Sequence, residues 1–168
     1  MPTITATRGR PTIPGEIRWF PMAATQTFLK GQFLYLDIAG RLNACATDTA
    51  GIAGMAEASY ADALAEAGYD SSHATVGIAC PITLAKRGQQ FTVNTTYTDA
   101  GANTTSIDDV GKKAGLYVAS NICYADMDHA NARFIVDCIA EDNAMGDTRG
   151  RVVVEVLDAY AQLDSGTS

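Results

Sequence analysis

Four cysteines and two histidines are the residues of this 168-residue chain best suited to nucleophilic or metal chemistry. His129 stands six residues after Cys123 and nine before Cys138. An imidazole at that distance in sequence could activate a thiol if the fold joined them. All four cysteines, however, sit among small or apolar neighbours, in LNACAT, GIACPI, SNICYA and IVDCIA. Thiols in such surroundings are inert, so Cys45, Cys80, Cys123 and Cys138 are expected to be free, buried and hydrophobic in role. No C-x-x-C pair supplies the closely spaced ligands of a zinc site. His73 has Asp70, Ser71 and Ser72 beside it, but a Ser-His-Asp triad is made by geometry and not by adjacency. Asp126, Asp128 and His129 in YADMDHAN put alternating ligand atoms where a hard cation could bind. That segment lacks the glycine and distal glutamate of an EF-hand loop, and it and the acidic stretch EDNAMGD are read as solvated turns. Neither a Walker A loop, nor a G-x-G-x-x-G after a strand, nor H-E-x-x-H occurs. The residues therefore predict no catalytic set, no metal and no cofactor, and the chain is read as a non-enzyme.

Composition limits what could position such residues. Hydrophobic residues make up 47% of the chain, but 28 residues are alanine, so large apolar side chains are few. The core is expected to be thin and sheet-like. A net charge of −7 argues against nonspecific binding of nucleic acid, which needs basic residues to displace counterions. No apolar run approaches the roughly 20 residues that span a bilayer. The opening MPTITATRGRPTIPG lacks the apolar stretch of a secretory signal, so a soluble protein made inside a cell is expected. The charge is also uneven. Residues 1–27 hold Arg8, Arg10 and Arg18 against Glu16 alone, which makes them +2 and the remainder −9.

Those first 27 residues contain four of the five prolines, at 2, 11, 14 and 21. Proline fixes φ and removes a donor, which excludes a helix interior or a central strand. Alternating threonines read as extended chain. The segment 1–27 is thus expected to be an N-terminal arm, with Trp19-Phe20 its largest apolar feature, docking either on its own domain or on another molecule, followed by a single β-rich domain over 28–168. In that domain GQFLYLDIAGRLNA predicts a hairpin turning at Ala39-Gly40. GIAGMAEAS predicts a strand with close backbone approach or a bulge, and YADALAEAGYD either a short helix ending at Gly68 or a loop insertion. Two strands are expected around a turn at Arg87-Gly88. Pro81 demotes the first to an edge or marks a bulge, and the second alternates a buried and a wet face. Ser106 and Asp109 form a capping pattern for a helical turn that stops at Gly115. GLYVAS, ARFIVDCIA and GRVVVEVLDAYA supply three more strands. The pattern is mainly β: a small antiparallel barrel or sandwich with one or two short helices.

Three segments taken in order, GQFLYLDIAGRLNA (31–44), SIDDVGKKAGLYV (106–118) and ARFIVDCIAEDNAMGDTRGRVVVEV (132–156), resemble the capsid cement, or decoration, proteins of tailed bacteriophages. The resemblance covers about residues 28–160. AEASYADALAEAGYDSSH and the four cysteines have no counterpart in it. It implies a virion protein that forms a homotrimer on the outer surface of the phage head and clamps neighbouring copies of the major capsid protein. It also implies an arm lying along the capsid lattice. Arg8, Arg10 and Arg18 would meet carboxylates or carbonyls there, and Ile4, Ile13, Ile17, Trp19 and Phe20 would fill apolar grooves. On this reading, removal of residues 2–20 leaves the domain folded and abolishes capsid binding. A glycan-binding β module is the alternative, with Tyr60, Tyr69 and Tyr124 as stacking residues.

Overall fold

The computed structural model describes residues 8–69, 77–98, 105–128, 131–140 and 150–163. The chain is mainly β, as its alternating apolar pattern predicts, and its strands form two sheets packed together. In chain order the strands are β1 (Arg10–Pro11), β2 (Ile17–Pro21), β3 (Phe33–Leu36), β4 (Leu42–Ala44) and β5 (Gly54–Ala56), then, after helix α1 (Tyr60–Glu66), β6 (Ala79–Leu84) and β7 (Gln90–Thr96). After a 3-10 turn at Ile107–Asp109 come β8 (Lys113–Ala119), β9 (Ile122–Asp126), β10 (Ala132–Ile139) and β11 (Arg151–Val156).

The first sheet runs β7-β11-β10-β8-β9 and closes on itself, because β9 returns to pair with β7. That closing contact is parallel, Asn94 to Thr96 against Tyr124 to Asp126, where an all-antiparallel sheet was expected. β1 adds to the same side of β7 one step earlier, with Arg10 opposite Thr92. The second sheet runs β2-β6-β5-β3-β4. It curls until Met22, just past β2, bridges Leu42 of β4.

Each sheet has its own core. Phe91, Val93, Leu116, Phe134, Val152 and Val154 fill the closed sheet, and Phe33 and Met55 reach into it from the second. Phe33 lies 5.2 Å from the rings of both Phe91 and Phe134, which locks the two sheets together. The other core holds Met22, Phe28, Leu34, Leu42, Ile82 and Leu84, and α1 covers it with Tyr60, Ala63 and Leu64. Ser59 caps α1 by accepting from the Asp62 amide. Close backbone approach at β5 follows from Gly54, where a Cβ would fall 2.2 Å from the Thr83 carbonyl oxygen.

Several local expectations change. Pro81 lies inside a sheet, because β2 covers β6 on one side and β5 on the other. The reason is direction: the Pro81 carbonyl accepts from the Glu57 amide, so its nitrogen also faces the β5 side, just beyond the end of that strand. The missing donor therefore interrupts no ladder. Strand β7 is buried on both faces, since Thr92 and Asn94 are as hidden as Phe91 and Val93. The Ser106–Asp109 capping box forms, but the helical turn ends at Asp109, and Gly115 lies within β8. Strand β9 comes from the SNICYAD segment, which carries no strand expectation, only Cys123, Tyr124 and Asp126 as candidate residues.

Candidate docking edge

The described part of the arm, residues 8–27, is woven into both sheets. Gly9 is buried where the chain crosses Gly31. A Cβ on Gly9 would meet Met55 Cε at 2.7 Å and the Gly31 oxygen at 2.8 Å, so glycine is required at the crossing. Beyond it the Thr12 amide donates to the Gln90 carbonyl at 2.9 Å and the Thr12 hydroxyl bonds that of Thr92 at 2.8 Å. Gln89 Nε2 then donates to the Ile13 carbonyl at 3.0 Å. β2 follows along β6, with Ile17 opposite Thr83, Trp19 opposite Pro81 and Phe20 opposite Cys80.

Hydrogen-bond phase decides which backbone groups of β2 remain open. The Leu84 amide donates to the Glu16 carbonyl, and the Met22 amide to the Ile78 carbonyl. Residues 16, 18, 20 and 22 therefore turn their backbone groups toward β6, and Ile17 and Trp19 turn theirs away. Among the described residues β2 pairs with β6 alone. The outward row is short, because Pro21 has no N–H and the Ala23 amide already donates to the Leu42 carbonyl. Ile17 and Trp19 also expose their side chains, at 53% and 55%, and Ile13 is 47% exposed nearby. Trp19 stands on the rim of a recess of about 310 Å³ lined by Ala63, Ala67 and Ile78.

The arm residues thus divide. Ile13, Ile17 and Trp19 are each exposed, whereas Phe20 packs against the second core. Arg8 and Arg10 are exposed. Arg18 Nε donates to Glu16 at 2.6 Å, and Lys86 pairs with the same carboxylate. These hydrogen bonds, that of Lys86 first, hold the Glu16 carboxyl below its ordinary range. Ile4 lies outside the described residues. Sequence reasoning missed Gly9, Gly15 and Gln89 as the fasteners of this segment. A Cβ at Gly15 would fall 2.0 Å from Gln89 Oε1, yet a glycine between prolines reads only as turn chemistry.

The other candidates take structural places. Tyr60 and Tyr124 are 4% and 8% exposed, which leaves Tyr69 alone of the three stacking candidates at the surface. Cys45, Cys80 and Cys123 are buried, and burial pushes the Cys80 and Cys123 thiols up to about 12. Cys138 is exposed, contrary to expectation. The Asp126 carboxylate accepts from the Thr98 amide and hydroxyl at 3.3 and 2.5 Å. Burial, and then a hydrogen bond with Asp128, raise its pKa. Among the described residues no group of three His, Cys, Asp or Glu is placed to hold a metal ion. His73, His129 and the 141–147 stretch lie outside the described residues. Arg133 is buried as a structural cation, donating to the Thr49 and Asp48 carbonyls at 2.7 and 3.0 Å and lying over the Tyr160 ring. Compared with protein-family models, with curated proteins and with solved structures, the chain matches none.

Proposed function

We infer that the protein is a structural virion protein that binds the outer surface of a phage head as a homotrimer. It docks on the major capsid protein through the open edge of β2 and so clamps neighbouring subunits. The observation that carries this reading is the pairing of open backbone groups with exposed apolar side chains at Ile17 and Trp19. An extended partner segment can add to such an edge, with main-chain bonds giving affinity and side-chain recesses giving selectivity. The recess beside Trp19 suits one apolar side chain of that segment, and tryptophan is enriched among the residues that dominate interfaces. The order of the hairpin, turn and final-hairpin segments supports the capsid as the partner.

Co-sedimentation with undecorated heads tests the reading, using wild-type protein, Trp19→Ala and Ile17→Asp. Saturable binding by the wild type and at least tenfold weaker binding by both variants is expected, as for a central interface residue worth roughly 2 kcal/mol or more. Binding that is indifferent to both substitutions would remove the edge from the interface. No binding by any form would remove the capsid role.

A further inference from the structure

Beside the open edge of β2, two cations share one carboxylate. Arg18 Nε donates to Glu16 Oε1 at 2.6 Å, and Lys86 Nζ donates to Glu16 Oε2. Spacing explains the first contact, because residues 16 and 18 project from the same face of an extended chain. The fold supplies the second. The Leu84 amide donates to the Glu16 carbonyl at 2.9 Å, which sets Glu16 beside the end of β6. There the chain turns back, with the Gln89 amide donating to the Lys86 carbonyl at 3.0 Å. All three side chains stay open to solvent, Arg18 over more than half of its surface. Together they carry one positive charge, in a chain whose net charge is −7.

Hydrogen-bond phase puts that charge where a docked strand would meet it. Ile17 and Trp19 turn their backbone groups outward, so Arg18 lies between two outward-bonding positions. In an antiparallel addition the residue facing Arg18 falls in a pair without direct backbone bonds. Cα atoms in such a pair are about 4.5 Å apart, and their side chains meet most closely. An opposite charge at that place is favourable and a like charge unfavourable. The far end of the edge has the reverse preference. Among the described residues Glu66 alone is charged in the lining of the recess beside Trp19. The edge is therefore cationic at Arg18 and Lys86, and apolar with an acidic rim at Trp19.

We propose that the capsid segment adding to β2 presents a carboxylate opposite Arg18, and that Glu16 stands in for that carboxylate in the free protein. Docking would transfer Arg18 and Lys86 from an intramolecular carboxylate to an intermolecular one. This inference rests on the capsid reading for the identity of the partner, and adds to it the charge of the segment recognised.

The test is co-sedimentation of the full chain with undecorated heads over a series of salt concentrations. Wild type is run beside Arg18→Gln, Lys86→Gln and Glu16→Gln. Asp108→Asn, on the exposed 3-10 turn that packs against β10, controls for net charge. None of these side chains belongs to a core, so all variants should unfold near the wild-type temperature. Arg18→Gln and Lys86→Gln are expected to bind about two- to fivefold more weakly, the range of an opposite-charge pair across two strands. Their binding should also depend less on salt. Glu16→Gln removes the competitor and should bind more tightly by a similar factor, while Asp108→Asn matches the wild type. If wild type binds but Arg18→Gln binds equally well, or Glu16→Gln gains no more than Asp108→Asn, the inference is overturned and edge docking stands. A wild type that leaves the heads bare overturns the capsid reading, and this inference with it.

Discussion

The two sheets manage their edges in opposite ways. In the β7-β11-β10-β8-β9 sheet a three-residue parallel ladder joins the last strand to the first, and no exposed ladder is left along that seam. In the β2-β6-β5-β3-β4 sheet a single bridge at Met22 and Leu42 does the same work at one end of β2 only. The rest of β2 splays away with Ile17 and Trp19 outermost. Pro21 ends this open row, a device that limits uncontrolled edge pairing while leaving a short acceptor. The comparison teaches that the sheets differ in closure: one is sealed along its seam, and the other leaves one short edge open beside Ile17 and Trp19.

The largest way to break this comparison is at the residue the sheets share. Phe33→Ala should cost about 3–5 kcal/mol, as for a fully buried aromatic, and should unfold both sheets in one urea transition. Two separate transitions would show that the sheets are independent units. Next comes the crossing of the arm. Gly9→Val has no room beside Met55 and the Gly31 carbonyl, so a loss of about 1–3 kcal/mol is expected. Faster proteolysis within residues 10–20 would locate the damage there. Deletion of residues 2–20 is consequently a poor test of docking. It would strip β6 of its neighbour and uncover the second core beside Phe20, where the sequence alone predicted an intact domain. A subtler probe is Trp19→Ala, which should change stability by less than about 0.5 kcal/mol because the ring is more than half exposed. On the proposed function, its effect is expected in head binding instead.

The smallest effect concerns the outer face of the closed sheet. Burial, and then the neighbouring Asp137 carboxylate, raise the Glu155 pKa. A carboxyl whose pKa is higher folded than unfolded favours folding at low pH and penalises it as pH rises through the raised value. Glu155→Gln should therefore be more stable than the wild type at neutral pH, by a few tenths of a kcal/mol, as for like charges on adjacent strands. The gain should fade as the pH is lowered below the ordinary carboxylate range. Thermal unfolding of both proteins across that range would show it, and a constant difference at every pH would refute the assignment.

Much of the local structure was legible in the residues. The turn closing at Gly40, the short helix before Gly68 and the turn at Arg87-Gly88 follow from chemistry within a few positions. What escaped depends on partners distant in sequence. Nothing near Pro81 says that residues 17–21 will cover its strand, and nothing in SNICYAD says that it will seal a barrel against β7. The arm reads as a separate element because its prolines forbid central strands, yet edge strands tolerate them. Of the docking edge, Ile17 and Trp19 were identifiable as apolar residues in extended chain. Their outward phase was not, because it is set by the Glu16–Leu84 and Met22–Ile78 hydrogen bonds.

The most direct measurement of the open edge is residue-resolved amide hydrogen exchange along β2 in the free protein. Arg18 and Phe20 donate toward β6 and should be protected, while Ile17 and Trp19 face away and should exchange at nearly the rate of unstructured chain. That alternation is the expected result. Equal protection at all four amides would mean that the edge is already covered, and the proposed docking site would be lost with it.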